Sequence, residues 1–208
     1  MRISDDRYSR DRSRFDVAML FIRNEARTHT IRLWTGLSDD RIRKLYRSYL
    51  CGAHAKPLIR HRGKSPQQAG FFMRSARSRQ EAALLASLCC LVGALPGEPA
   101  PELLATLPSL GRGELLCHAY TVYRSLLPET MISFEHAVLL LTALVRGDEL
   151  VLSACRECSA VLIIDRWSLR APRCVLCADD SLAVPRRGLQ DLSPDDSFSR
   201  PAIADIDA

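Results

Sequence analysis

The chain has 208 residues, of which 47% are hydrophobic and 25% charged, so it can bury a core and is not a mostly disordered protein. No segment approaches the roughly 18 uninterrupted apolar residues of a membrane span. No apolar stretch follows the charged N-terminus, as it would in a secretory signal. We therefore expect a cytoplasmic protein with no membrane partner, in a compartment that keeps thiols reduced.

The net charge of +5 is divided unevenly along the chain. Residues 1–80 contain 19 lysines and arginines against 7 aspartates and glutamates, whereas residues 81–208 contain 10 against 17. Most of the basic residues are arginines, and the planar guanidinium suits phosphates and guanine edges. The asymmetry indicates a polyanionic partner for the first part of the chain, although a solvated arginine-rich surface would have the same composition.

The pattern along the chain is typical of a mainly α protein that ends in a small ribbon. We expect a flexible N-terminus over 1–14, a helical domain over 15–147, a zinc-binding ribbon over 148–190 and an acidic, disordered tail over 191–208. The predicted helices of the helical domain span residues 15–27, 28–35, 38–50, 66–94, 102–107, 113–127 and 133–146. Ser65 and Ser133 are expected to cap two of these helices, and Gly147 to end the last one. Apolar, β-branched residues predict two strands, over 149–155 and 159–164.

The segment SDDRIRKLYRSYL (38–50) is expected to form an amphipathic helix with one basic face. Its apolar residues recur at helical spacing, at Ile42, Leu45, Tyr46 and Tyr49. Arg43, Lys44 and Arg47 then point the other way. Together with the short helix before it and Gly36 between them, the segment resembles a helix-turn-helix, in which a recognition helix enters the major groove.

Two acidic residues complicate a DNA-binding interpretation of this helix. Recognition helices usually contact bases near their N-terminus, where this one has Asp39 and Asp40. A solvated or subunit-contact helix is the alternative. A second candidate for phosphate contact is the basic loop that follows, with Arg60, Arg62 and Lys64, which could equally be a solvated loop.

The most specific motif is CRECSAVLIIDRWSLRAPRCVLC (155–177), in which two C-x-x-C pairs are separated by 15 residues. Each pair forms a tight knuckle, and the intervening residues allow one antiparallel excursion that brings the knuckles together. We expect the four thiols to hold one structural Zn²⁺ per chain through Cys155, Cys158, Cys174 and Cys177. Iron uses the same ligands, whereas a disulfide or a redox pair fits the compartment and the spacing less well.

The rest of the chain offers no catalytic arrangement. There is no nucleophile elbow, phosphate-binding loop, dinucleotide fingerprint or pair of carboxylates at a suitable spacing. Four thiolates also close the coordination shell, whereas a catalytic zinc keeps a position open. We therefore expect that the protein is not an enzyme.

Three segments resemble the FlhC family, the subunits of the bacterial flagellar master transcriptional activator. They are TIRLWTGLSDDRIRKLYRSY, AGFFMRSARSR and SFEHAVLLLTALVRGDELVLSACRECSAVLIID with the later PRCVLC, and the similarity covers roughly residues 17–190. The resemblance implies a helical protein with a zinc site at the four cysteines named above. It also implies a heteromeric complex with a smaller FlhD-like subunit, which binds promoter DNA and recruits RNA polymerase to activate flagellar genes. The alternative is a zinc-stapled protein-interaction or RNA-binding module without promoter specificity.

Overall fold

The computed structural model describes residues 2–50, 61, 63–96, 106–169 and 171–178. Within these residues, the α-helices are α1 (Arg2–Arg23), α2 (Thr28–Thr35), α3 (Asp39–Leu50), α4 (Ala76–Leu91), α5 (Leu110–Leu126), α6 (Phe134–Arg146) and α7 (Val175–Ala178). A 3₁₀ helix spans Ala69–Met73, and β1 (Leu150–Ala154) pairs antiparallel with β2 (Val161–Asp165). The predicted fold class, a mainly α protein with a small C-terminal four-cysteine ribbon, is confirmed.

The first helix begins earlier than predicted, at Arg2 and not at Phe15. Residues 2–23 contain neither glycine nor proline, and arginine is a good helix former. Ion pairs at helical spacing add to this, between Arg14 and Asp11 at 3.5 Å and between Arg12 and Asp16 at 4.0 Å. A run of alternating charges therefore forms a helix where the sequence indicates a flexible N-terminus.

The long helix predicted over 66–94 is also wrong in its first part. The 3₁₀ helix comes first, and Ser75 rather than Ser65 caps α4, accepting a hydrogen bond from the backbone N–H of Ser78. The Ser65 hydroxyl instead donates to the Glu135 carboxylate, 2.5 Å away. Serine is a preferred N-cap residue, so the sequence allows either position to be the cap, and only the tertiary contacts of the two serines distinguish them.

The other helix predictions agree better with the structure. Helix α6 has the predicted cap, with Ser133 accepting from the His136 N–H and Gly147 in the left-handed conformation at φ 64°. Helix α5 begins at Leu110, three residues before the prediction, because Ser109 provides its cap. The helix predicted over 102–107 lies mostly, and the acidic tail over 191–208 wholly, outside the described residues.

An aromatic part of the core lies where α1, α2, α5 and α6 meet. Phe21 packs against Trp34 and against Phe134, with ring centroids 5.8 Å and 5.1 Å apart. Tyr120 completes this aromatic group with a ring centroid 5.2 Å from that of Phe134. These contacts fix α2, and through it α3, against the body of the protein.

A glycine on α5 makes this close packing possible. A methyl group at Gly113 would lie 3.0 Å from Cε3 of Trp34 and 3.1 Å from Cε2 of Phe21. We expect Gly113→Ala to lower the free energy of unfolding by about 1–2 kcal/mol, because overpacking outweighs the gain in helix propensity. Thermal unfolding followed by circular dichroism measures this as a fall in Tm of roughly 2–8 °C.

Gly111→Ala is the matched control on the same helix. No atom lies within 4 Å of the added methyl group there. Gly111 lies in the first turn of α5, so this substitution should leave stability unchanged or raise it by up to about 0.5 kcal/mol. Equal effects of the two substitutions would contradict the packing argument.

The β-hairpin is attached to the helices and does not stand apart from them. Strand β2 contacts α4, and β1 contacts α6. Leu150 and Ile163, one from each strand, are buried in the same core as the helices. Among the described residues, no helix has both the length and the apolar character needed to cross a membrane.

Candidate metal centre

The first cysteine pair lies directly after β1. The Cys155 N–H donates to the Ala160 carbonyl at 2.8 Å, and the Ser159 N–H donates to the Cys155 carbonyl at 2.9 Å, which closes a tight turn. Ser159 takes a left-handed conformation with φ 59°, a position that glycine would occupy without strain. The turn places the sulfurs of Cys155 and Cys158 on the side that faces the second pair.

The second pair lies at the start of the short helix α7. The N–H groups of Cys177 and Ala178 both donate to the Cys174 carbonyl, at 3.2 Å and 2.9 Å. One backbone hydrogen bond, from the Arg156 N–H to the Pro172 carbonyl at 3.1 Å, joins this turn to the first. The two knuckles therefore meet through the backbone as well as through their sulfurs.

The spacing of the sulfur atoms fits a single metal ion. All four Sγ atoms lie within 4.8 Å of one another, and those of Cys158 and Cys174 are 3.7 Å apart. Sulfurs bound at about 2.3 Å to a tetrahedral ion lie roughly 3.8 Å from each other, whereas disulfide sulfurs are only about 2.05 Å apart. All described cysteines are free thiols. The site predicted from the sequence is thus assembled, and it could hold a metal ion.

The surroundings of the four sulfurs favour negative charge on at least one of them. Hydrogen bonds from the backbone N–H groups of Cys174 and Cys158 lower the pKa of Cys155 to about 6. Hydrogen bonding of Cys177 with its thiol neighbours, first Cys174 and then Cys158, raises its pKa to about 12. Four thiols this close share their protons because four thiolates would repel one another, and a divalent cation removes that obstacle.

Backbone donors, more than arginines, contact the sulfurs directly. The Cys174 N–H donates to Cys155 Sγ and the Cys177 N–H to Cys174 Sγ, both at 3.3 Å. Two nearby arginines have other partners, since Arg173 pairs with Glu157 at 3.4 Å and Arg166 donates to the Gly147 carbonyl. Such N–H···S bonds stabilise thiolate ligands in the way that outer contacts orient a metal site.

The predicted basic helix has the two faces that its sequence indicates. Ile42 and Tyr46 are buried, and the Tyr46 hydroxyl donates to the Ala26 carbonyl in the segment that joins α1 to α2. Arg43, Lys44 and Arg47 are exposed on the other side of α3. Gly36 ends α2 with φ 69°, which gives the short connection that the helix-turn-helix prediction requires.

The second group of predicted DNA-binding residues is described only in part. Lys64 is exposed and lies outside α3, in the segment before the 3₁₀ helix, while Arg60 and Arg62 lie outside the described residues. The neighbouring His61 has a partner, because its Nε2 lies 3.0 Å from a carboxylate oxygen of Glu25. Contact of these residues with DNA stays a prediction.

Two buried carboxylates were missed by the sequence analysis. Glu81 on α4 accepts hydrogen bonds from Arg77, from the Thr130 hydroxyl at 2.8 Å and from the Met131 N–H at 3.1 Å. Glu135 on α6 accepts from the backbone N–H of Arg27 and from two hydroxyl groups. The spacing of Arg77 and Glu81 was a usable signal, whereas the other partners of the two carboxylates lie 42 to 108 residues away along the chain.

Comparison of the chain with models of known protein families found no match, and comparison with curated proteins found none either.

Proposed function

We propose that this protein is a DNA-binding transcriptional activator of the FlhC type, which acts in the bacterial cytoplasm together with a smaller FlhD-like subunit. In this role the complex binds promoter DNA and recruits RNA polymerase to flagellar genes. The observation that carries the proposal is the exposed basic face of α3, held on a packed helical body in a chain whose segments resemble that family. The protein is then a regulator and not an enzyme.

The basic face of α3 is suited to phosphates and base edges. The helix is anchored on one side by Ile42 and Tyr46, so Arg43, Lys44 and Arg47 lie on the exposed side, where they can face a groove. Arginine binds guanine edges and phosphates through a planar fork of donors. A rigid helix with such a face pays little conformational entropy when it binds.

The acidic start of α3 limits how this helix can meet a duplex. Asp40 is exposed and pairs with Arg43 at 3.2 Å. Both Asp39 and Asp40 also complement the positive end of the helix dipole. We propose that the middle of α3, rather than its first turn, lies against the DNA, and that Asp40 orients Arg43.

The four cysteines fit a structural zinc ion, one per chain. Four sulfur ligands at tetrahedral spacing are typical of structural zinc sites, and a closed sulfur shell leaves no position for a substrate. Zinc is favoured over iron because it is the usual ion of ribbon-like sites with this ligand spacing.

Exposed apolar side chains around the ribbon are consistent with a protein partner. Trp167, Leu169 and Leu176 are 78%, 102% and 62% exposed. Contiguous exposed apolar surface is typical of interaction sites, and Trp167 and Leu169 are only two residues apart along the chain. They are candidates for contact with the partner subunit or with polymerase.

Substitution of the basic residues of α3 tests the proposed function. The triple variant Arg43→Gln/Lys44→Gln/Arg47→Gln should weaken binding of the partner-containing complex to a flagellar promoter at least tenfold, because each lost phosphate or base contact contributes to affinity. It should also lower the number of counterions released on binding by about two to three. That number is obtained from the slope of log affinity against log salt concentration. Fluorescence anisotropy at several salt concentrations measures both quantities.

The control is Arg146→Gln, which removes an exposed arginine at the end of α6. It should leave promoter affinity and its salt dependence unchanged. Equal affinity of the wild-type complex for promoter and scrambled duplexes would contradict the proposal and favour an interaction or RNA-binding module without promoter specificity.

A further inference from the structure

A cavity of about 540 Å³ opens between the C-terminal ends of α1 and α5 and the segment that joins α5 to α6. Its volume lies within the roughly 300–1,000 Å³ of sites that hold small molecules. Three arginines line it, Arg23, Arg27 and Arg124, and we call it the arginine cavity. It is formed by other elements than α3 and the cysteine ribbon.

The acidic residues that line this cavity are engaged by other groups. Glu25 pairs with His61. Glu135 accepts hydrogen bonds from the Arg27 backbone N–H at 2.8 Å and from the Thr30 hydroxyl at 2.8 Å. Among the ion pairs formed within the described residues, none joins a carboxylate to any of the three arginines. The positive charge of the cavity is therefore not balanced by side chains in direct contact.

Arg27 shows this imbalance most clearly. Its Nε and Nη1 atoms are buried and have no hydrogen-bond partner in the part of the chain that the structure describes. Burying a charged donor without a partner is costly, and a counter-charge nearby reduces that cost. Arg27 also lines the cavity, so an anion bound there would lie near its side chain and offset part of this charge.

The remaining lining indicates what kind of anion fits. The guanidinium of Arg124 lies near the Tyr120 hydroxyl and interacts with it electrostatically. That hydroxyl donates to the Ile132 carbonyl at 3.0 Å. Met131 and Phe134 give the wall an apolar part. Phosphate carries nearly two negative charges at neutral pH and three acceptor oxygens, which matches several guanidinium forks. The volume leaves space for an organic group beside it.

We propose that the arginine cavity binds a small phosphorylated organic molecule, through the guanidinium groups of Arg23, Arg27 and Arg124. The ligand neutralises the charge at Arg27 and links the ends of α1 and α5. This site is separate from the proposed DNA-binding face, and the proposal does not depend on the proposed function.

The test measures thermal stability of the full chain, in the complex in which it is purified, with defined probes. Ribose 5-phosphate and pyrophosphate are compared with ribose and with sodium chloride at the same ionic strength. We expect the two phosphate probes to raise Tm saturably, by about 3–6 °C at ten times the half-saturating concentration. Ribose and chloride should have no saturable effect.

Variants of the two exposed arginines locate the site. Arg23→Gln/Arg124→Gln should weaken both phosphate probes by tenfold or more, and Arg146→Gln should not. Arg27→Met separates binding from a structural role. It should weaken binding of the phosphate probes. The Tm of the ligand-free variant should equal or exceed that of the wild type, because the substitution removes unpartnered buried donors. A structural role would lower that Tm.

Three results would overturn the proposal. One is an equal shift with chloride, and another is unchanged probe binding in the double variant. The third is loss of duplex affinity in the cavity variants without any effect of the phosphate probes, which would assign the cavity to nucleic-acid contact. Binding of pyrophosphate but not ribose 5-phosphate would reject the organic part of the ligand.

Discussion

Cys174→Ala should lose its metal ion and unfold both cysteine knuckles, the largest effect that we expect from a single substitution. Cys174 contacts every part of the cluster, because its sulfur lies 3.7 Å from that of Cys158, accepts from the Cys177 N–H, and its own N–H donates to Cys155. Metal binding by such ligand sets contributes about 10–16 kcal/mol near neutral pH, and losing one of four thiolates forfeits several kcal/mol of it.

Two measurements check this prediction on the full chain. Elemental analysis should find one zinc per chain in the wild type and much less in the variant. Hydrogen exchange should show loss of protection at the amides of Arg156 and Ser159, which close and join the knuckles. If duplex binding falls as well, the ribbon contributes to the proposed activity.

Cys90→Ala is the matched control. Cys90 is a half-buried thiol at the end of α4 and is not one of the four clustered cysteines. This variant should keep its metal and its exchange protection. A Cys174→Ala protein with a full complement of zinc and protected knuckles would refute a metal centre at these residues.

The second large effect is expected for Glu81→Ala, which should lower the free energy of unfolding by roughly 3 kcal/mol. The Glu81 side chain is buried, and its removal leaves the Thr130 hydroxyl and the Met131 N–H without their acceptor. It also releases Arg77, which connects α4 to the Glu129 carbonyl. Thermal unfolding should show a fall in Tm of about 6–12 °C.

The pH dependence of this effect has a definite sign. Burial raises the pKa of the Glu81 carboxyl, but the hydrogen bonds from Arg77, Thr130 and the Met131 N–H outweigh burial and hold it below its usual value. A lowered pKa in the folded state means that ionised Glu81 stabilises the protein above the pKa of the unfolded chain. That contribution is lost as the pH falls through the folded-state pKa. The difference between wild type and Glu81→Ala should therefore shrink below about pH 4.5.

Glu114→Ala provides the comparison, because Glu114 is an exposed carboxylate on α5, 4.0 Å from His118. Exposed ion pairs contribute little, so Tm should change by less than about 2 °C. A similar loss in both variants would mean that the buried network around Glu81 has no special role.

Local sequence signals predicted the parts of the fold that depend on neighbours along the chain. Ser133 and Gly147 bound α6 as expected, since a capping serine and a left-handed glycine act within one turn of the helix. The spacing of the cysteines also predicted that the four sulfurs would cluster, because each knuckle is built from four consecutive residues. The buried and exposed faces of α3 followed from helical periodicity in the same way.

Contacts between distant segments could not be predicted in this way. Ser65 has the sequence of a helix cap, yet its hydroxyl donates to Glu135, 70 residues away. The arginine cavity likewise combines Arg23 with Arg124, which are brought together only when α1 packs against α5. Composition could indicate that arginines are abundant, but not which of them would remain without a carboxylate partner.

The burial of Leu150 and Ile163 against the helices has a consequence for how this protein can be divided. The two strands bury part of the apolar surface of α4 and α6. The cysteine ribbon is therefore not an independent domain that could be removed without exposing the helices. Cutting the chain after α6 would uncover apolar surface on the remaining fragment and invite aggregation. The smallest autonomous unit therefore runs from the helices through both strands, and swaps between homologues should exchange that whole unit.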